Sequence, residues 1–118
     1  MTRILGVSHV GLHAKDPSAL GAFYRDQIGL PILLDRPGAP VILALGDTTD
    51  LFLMAGAETP VDFDIAVDDV DGFHARLVGA GVSCTDLRDD RVSGHRSFSF
   101  TDPEGNVVPV RSSHIRPQ

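Results

Sequence analysis

The sequence predicts an α+β fold in which two βαβββ modules, residues 4–55 and 61–113, make one domain over residues 1–118. Two observations support this prediction. An alternating strand pattern, a short amphipathic helix pattern and three further strand patterns occur in that order twice. With 42% hydrophobic residues, the chain can also form a packed core. Neither half could bury a sheet face alone, so we expect the two halves to combine.

The first half begins with strand alternation and then changes to a helical period. Residues 4–14 alternate, which predicts a strand. Asp16 and Pro17 predict a helix start, because Asp is a favourable N-cap and Pro is tolerated at the first helical position. Gly29 is expected to end this helix. Three short strands, at residues 30–34, 41–45 and 51–54, and a loop at residues 36–40 complete the first half.

The second half repeats this order. Alternation over residues 63–67 predicts its first strand, and Asp68 and Asp69 are both candidate N-caps of a second helix. Gly81 is a plausible C-cap for that helix. A strand at residues 82–87, a loop at residues 88–94 and two final strands follow.

The turn between the final two strands has the composition of a tight turn. Pro103 fixes its own φ angle, and Gly105 allows a positive φ. Asp102 or Asn106 can form hydrogen bonds with the local backbone. The segment Asp102–Asn106 therefore predicts a reversal of chain direction.

The two halves also align residue by residue. His9 falls on Asp62, and Phe52 falls on Pro109. In each half the helix should cover one face of the sheet, which leaves the other face to line a binding site. The polar residues expected on these free faces are His9, His13, Asp62 and Asp64.

Composition excludes several classes of partner. The net charge of -6 and the pI near 5.1 argue against nucleic acid or an anionic membrane as partner. Cys84 is the only cysteine, so we expect a small apolar residue there rather than a nucleophile. No apolar run approaches the ~20 residues of a membrane span, and the N-terminal residues enter a strand pattern at once. We therefore expect a cytoplasmic protein.

Three motifs resemble one known group of proteins. They are His9-Val-Gly-Leu12 near the start, Val67-Asp-Asp-Val70 before the second helix, and Asp102-Pro-Glu-Gly-Asn106. Together they resemble the vicinal oxygen chelate superfamily of glyoxalase I, extradiol dioxygenases, fosfomycin-resistance enzymes and bleomycin-resistance proteins. The resemblance covers residues 4–112 and implies a curved mixed sheet around a cavity, and a homodimer.

The resemblance also implies where a metal would bind. Metal enzymes of the superfamily commonly take His and Glu ligands from the first and last strands of each half. His9 matches this pattern and Asp62 is chemically suitable, but Phe52 and Pro109 have no side-chain donor. We therefore expect an incomplete metal set of His9 and Asp62, and no cofactor. The alternative is a divalent ion held by a displaced set of His9, His13, Asp62 and Asp64.

We interpret the chain as a small-molecule-binding protein with a degenerate metal site, similar to the bleomycin-resistance branch. It would bind or sequester a drug or metabolite that is planar, hydrophobic or cationic. One alternative is a metal-dependent glyoxalase-like lyase, isomerase or dioxygenase with an altered ligand set. Another is a subunit whose sheet face meets a protein partner. No catalytic residue is assigned, and the predicted cavity residues are His9, His13, Phe52, Asp62, Asp64 and Pro109.

Two further histidines carry separate expectations. His74 lies within the second helix and is expected at the surface. His95 follows Gly94 and is expected in a loop, where it could touch a ligand.

Overall fold

The computed structural model describes residues 2, 5, 7–56, 61–91 and 94–112. They fall into two compact units, Met1–Pro60 (unit 1) and Val61–Gln118 (unit 2). Unit 1 contains β1 (His9–His13), α1 (Pro17–Phe23) with a π-helical turn (Tyr24–Ile28), β2 (Ile32–Leu34), β3 (Val41–Leu45) and β4 (Thr49–Met54). Unit 2 contains β5 (Ile65–Val67), α2 (Val70–Gly79), β6 (Ser83–Cys84), β7 (Arg88–Asp89), β8 (Arg96–Thr101) and β9 (Val107–Ser112).

Each unit has one mixed sheet. The strand order is β1-β4-β3-β2 in unit 1 and β5-β9-β8-β6 in unit 2, with β7 also paired to β8. The first strand of each unit lies parallel to the last strand, and the other pairs are antiparallel. Two mixed sheets with few helices confirm the predicted α+β class. The grouping of both modules into one domain stays a prediction.

Helix α1 begins where the sequence predicts. The carboxylate of Asp16 accepts a hydrogen bond from the Ala19 N–H (3.2 Å), and Pro17 is the first helical residue. The last turn is π-helical, because the carbonyl of Tyr24 accepts from Gly29 (2.9 Å), five residues ahead. Gly29 has a φ of 95° and ends the helix as predicted.

The core of unit 1 lies between α1 and the sheet. Gly21 is buried against β3, where an added Cβ would come within 2.8 Å of a Val41 methyl group. A larger residue at this position would push the helix away from the sheet. The buried apolar residues of the unit include Leu12, Leu20, Tyr24, Ile28, Val41, Leu43, Leu51 and Leu53.

Helix α2 has a cap at each end. Of the two candidate N-caps, Asp69 takes the role and accepts from the Gly72 N–H (3.0 Å). The cap at the other end is Ala80 rather than Gly81, which lies one residue further with a φ of 84°. The Gly81 N–H donates to the Val78 carbonyl (3.0 Å). A glycine one residue past the cap is the usual arrangement, because the left-handed conformation falls there.

Some predicted strand bounds were wrong. The strand expected at residues 82–87 is reduced to Ser83–Cys84. The loop expected at residues 88–94 contains a short strand, β7, which pairs with β8. Arg96 of β8 explains this pairing, because its guanidinium contacts both Asp89 of β7 and Asp71 of α2. A pattern of neighbouring residues cannot predict such charge contacts.

The first strands are also shorter than predicted. The strand expected over residues 4–14 is confined to His9–His13 among the described residues, and positions 4 and 6 lie outside them. The strand expected over residues 63–67 begins only at Ile65. Residue 113, the predicted end of the second module, also lies outside the described residues.

The Asp102–Asn106 turn forms as predicted. One carboxylate oxygen of Asp102 accepts from the N–H groups of Glu104 and Asn106, both at 2.9 Å. Its other oxygen accepts from the side-chain amide of Asn106 at 2.9 Å. Gly105 has a φ of 87°, and Asp102 is only 4% exposed. A buried carboxylate therefore organises the whole turn.

Candidate functional site

The sheet of unit 1 has one face away from α1, which we call the open face. Its position follows from the register of β1 and β4, in which His9 pairs with Asp50, Gly11 with Phe52, and His13 with Met54. Side chains alternate along a strand, and the intervening residues Leu51 and Leu53 are buried. The open face therefore carries His9, Gly11, His13, Asp50, Phe52 and Met54.

Two predicted cavity residues form a pair on the open face. The ring centroids of His9 and Phe52 lie 5.0 Å apart, and the ring planes are inclined by 50°. His9 is exposed and Phe52 is half-buried. The structure therefore brings these two residues together, with an aromatic ring beside the histidine.

Small and apolar residues extend the open face around this pair. Ile42 and Ala44 of β3 lie in register with Phe52 and Asp50, and both are half-buried. Gly11 leaves room for Met54, since an added Cβ would lie 2.9 Å from the methionine methyl group. The open face is thus apolar at its centre. The sequence analysis missed Ile42 and Met54, although strand alternation could have found both.

Unit 2 groups the other predicted residues. Asp62, Asp64 and Pro109 line one hollow of about 390 Å³, together with Val61 and Phe63. Both aspartates are exposed. Asp64 also forms an ion pair with Arg111 (2.8 Å), a residue that the sequence analysis missed. Arg111 follows Pro109 by two residues, so alternation placed it on the same face.

Pro109 interrupts the ladder between β5 and β9. Ser99 is in register with Pro109, and its N–H and C=O both bond to Thr85, on the side away from β9. The pair is therefore not hydrogen-bonded, and the nitrogen of Pro109 faces β5. Proline has no N–H to donate, which explains why β5 begins only at Ile65.

The donor groups do not fit the implied metal site. Across the part of the chain that the structure describes, no three His, Cys, Asp or Glu side chains are grouped to hold one ion. A bound divalent ion needs several converging donors, and neither Phe52 nor Pro109 offers one. His9 and Asp62 belong to different units, so the incomplete metal set that pairs them stays a prediction.

Both remaining histidines of the sequence analysis differ from expectation. His95 is buried, and its Nδ1 lies 2.8 Å from the Ser112 carbonyl, to which it donates. Residue 95 lies outside the strands, as expected, but its buried side chain contacts the end of β9. His74 is half-buried, with Nε2 2.9 Å from the Thr85 carbonyl and its ring edge against Phe98.

Cys84 is not set up as a nucleophile. The residue is half-buried, and burial raises the pKa of its thiol above the ordinary value. The reactive form is the thiolate, and a raised pKa disfavours it at neutral pH.

Comparison with known families settles the superfamily. The Glyoxalase/Bleomycin resistance protein/Dioxygenase superfamily matches residues 6–110. The chain belongs to this superfamily. Comparison with curated protein sequences gives no match. No helix in the described residues is long and apolar enough to cross a membrane.

Solved structures of the superfamily share the fold along nearly the whole chain. Lactoylglutathione lyase from Agrobacterium tumefaciens is 25% identical, with a TM-score of 0.84 over 99% of this chain and 100% of that one. The antibiotic binding protein TnmS3 from Streptomyces sp. CB03234 is 27% identical, with a TM-score of 0.80 over 95% and 98%. A superfamily member from Sphaerobacter thermophilus, at 20% identity, has a TM-score of 0.81 over 93% and 98%. One relative is thus named as an enzyme and another as a binding protein.

Proposed function

We propose that this superfamily member binds a small planar apolar molecule, as a drug- or metabolite-binding or sequestering protein, without metal-dependent catalysis. The observation that carries the proposal is the contact between His9 and Phe52. Phe52 stands where the resemblance implies a metal ligand, and it presents an aromatic ring there instead of a donor.

The open face of unit 1 suits such a ligand. Ligand sites are mostly apolar, with a few polar groups that fix orientation. Ile42, Phe52 and Met54 supply apolar surface, while His9 and Asp50 supply polar groups. An aromatic ligand could stack on Phe52 and accept or donate a hydrogen bond at the His9 imidazole.

The relatives support two candidate functions to different degrees. TnmS3 is named as an antibiotic binding protein, which supports a binding role. The Agrobacterium relative is named as a lyase, which supports the alternative of a metal-dependent lyase, isomerase or dioxygenase. The alternative requires a complete ligand set, and Phe52 and Pro109 weigh against it.

A thermal-shift screen tests the binding proposal. Planar aromatic compounds should raise the melting temperature of the wild-type protein, since ligand at 100 times its Kd adds about 2.7 kcal/mol to the free energy of unfolding. Phe52→Ser should abolish the shift, whereas the control Val78→Ser, at an exposed site in α2, should keep it. If no aromatic compound produces a shift, the binding proposal fails.

Metal analysis tests the alternative. Protein purified without chelator should carry no stoichiometric Zn, Ni, Mn or Fe. A stoichiometric metal that disappears in His9→Ala would favour the enzyme. We also propose that the protein is cytoplasmic, as expected from its sequence, and that it is a homodimer, as the resemblance implies. Light scattering during gel filtration would give the molar mass.

A further inference from the structure

Unit 1 also contains a hollow, which is distinct from the hollow of unit 2 described above. It lies between the start of α1, the loop that joins β2 to β3, and the end of β4, and its volume is about 530 Å³. Pro17, Pro37, Pro40 and Met54 are among the apolar residues that line it. This volume falls within the range of small-molecule sites, roughly 300–1,000 Å³. We call it the loop hollow.

Arg36 is the charged residue of the loop hollow. No Asp or Glu is among the described residues that line it. Arg25, Arg96 and Arg111 each form an ion pair with a carboxylate. Arg36 has no such partner in the described part of the chain. Among the described residues its guanidinium therefore has no competing carboxylate, and its planar fork matches the carboxylate of a ligand.

The neighbouring acid, Asp35, is not among the described ion-pair partners of Arg36. The carboxylate of Asp35 accepts a hydrogen bond from the Ser18 hydroxyl (2.8 Å) and is held toward α1. Asp35 is not among the residues that line the loop hollow.

A tight turn positions Arg36. The Ala39 N–H donates to the Arg36 carbonyl (3.4 Å), and Gly38 has a φ of 78°. Proline at the second position and glycine at the third are the residues that favour a type II turn. Pro40 in addition restricts the backbone of Ala39. The loop that carries Arg36 is therefore conformationally restricted, so less entropy is lost when a ligand binds.

We propose that the loop hollow binds a small molecule with an apolar body and a single anionic group. Arg36 holds the anion, and the prolines with Met54 contact the body. Met54 also lies on the open face, so this inference rests on the proposed function and specifies its ligand class. It differs from the cationic ligand that the acid residues of the sequence suggested, because those residues line the hollow of unit 2 instead.

Calorimetric titration with two matched probes tests the inference. 2-Naphthoate and 2-naphthylmethylammonium share an apolar body and differ in charge. Naphthoate should bind the wild-type protein more tightly. Arg36→Gln should weaken naphthoate binding by up to about fivefold, the contribution of an exposed ion pair. Arg91→Gln is the matched control, since it removes the same charge from an exposed position in unit 2.

A second variant tests whether the probe binds in the loop hollow, independently of the Arg36 charge. Ala39→Phe should fill the loop hollow and abolish naphthoate binding, while circular dichroism shows that the fold is kept. Naphthoate binding that Arg36→Gln leaves unchanged, or equal binding of both probes, would overturn the inference. If naphthoate binding is insensitive to Arg36→Gln but is lost in Phe52→Ser, the proposed function stands and the inference about Arg36 fails. If neither probe binds while other aromatic compounds shift the melting temperature, the inference alone fails.

Discussion

The two units share the order of their main strands but carry different residues at one matched position of their last strands. In β4 this position is Phe52, and in β9 it is Pro109. Val110 pairs with Ile65 as the equivalent residue of β4 pairs with Leu12. The first strand is five residues long in unit 1 and three in unit 2. The missing N–H of Pro109 therefore shortens β5, while the next residue along β9 keeps the same pairing as its equivalent in β4.

The exposed sheet faces differ as well. In unit 1, Phe52 is surrounded by Ile42 and Met54, which makes the face apolar. In unit 2, the same strand positions carry Ser99 of β8 and Arg111 of β9. A repeated fold thus supports one apolar surface and one polar surface. The apolar one offers the Phe52 ring as a stacking platform for an aromatic ligand.

The largest expected effect concerns the cores behind both faces. Leu53→Ala and Leu77→Ala each truncate a fully buried leucine, in β4 and in α2. Each should lower the free energy of unfolding by about 2–5 kcal/mol. Urea unfolding followed by circular dichroism should show one transition in both variants if the modules form one domain. Two separate transitions, with only one displaced in each variant, would contradict that prediction. Leu33→Ala, at an exposed site, is the control.

The turns before the last strands should respond differently. In unit 2, Asp102→Ala removes a buried acceptor of three hydrogen bonds. The free energy of unfolding should fall by about 1.5–3 kcal/mol. In unit 1, Asp47 lies in the exposed turn after Gly46, and Asp47→Ala should change stability by less than about 0.5 kcal/mol. Equal effects from thermal or urea unfolding would refute the difference.

Exchanging the matched residue tests its effect on strand length. Pro109→Val restores an N–H that faces β5, and the added hydrogen bond should contribute about 0.5–1.5 kcal/mol. Hydrogen exchange measured by NMR should show the new amide at position 109 protected. Phe52→Pro should instead shorten β1. A rapidly exchanging amide at position 109 would mean that proline is not the cause of the short strand.

The smallest effect is expected from the ion pair on the polar face. Asp64 and Arg111 are partly exposed, with side chains 40% and 46% accessible. A double-mutant cycle with Asp64→Asn and Arg111→Gln should give a coupling energy of about 0.2–1 kcal/mol that decreases with added salt. A coupling that salt leaves unchanged would indicate a more enclosed pair than the structure shows.

Much of the local structure was predictable because the signals are local. The caps at Asp16 and Asp69, the stop at Gly29 and the turn at Asp102 each depend on hydrogen bonds within about five residues. Strand bounds were less predictable. The strand β7 pairs with β8 where Arg96 contacts Asp89, seven residues away, and Asp71, 25 residues away.

The features of the candidate site likewise fall into those that the sequence determines and those that depend on the folded structure. The sequence by itself determined that Phe52 and Pro109 offer no metal donor, since this depends on residue type alone. Only the tertiary structure decided that the His9 ring lies beside Phe52 and that the nitrogen of Pro109 faces β5. It also decided that Arg36 lines a hollow in which no described residue offers it a carboxylate. These features depend on strand register and on chain segments that meet after folding, which no window of neighbouring residues contains.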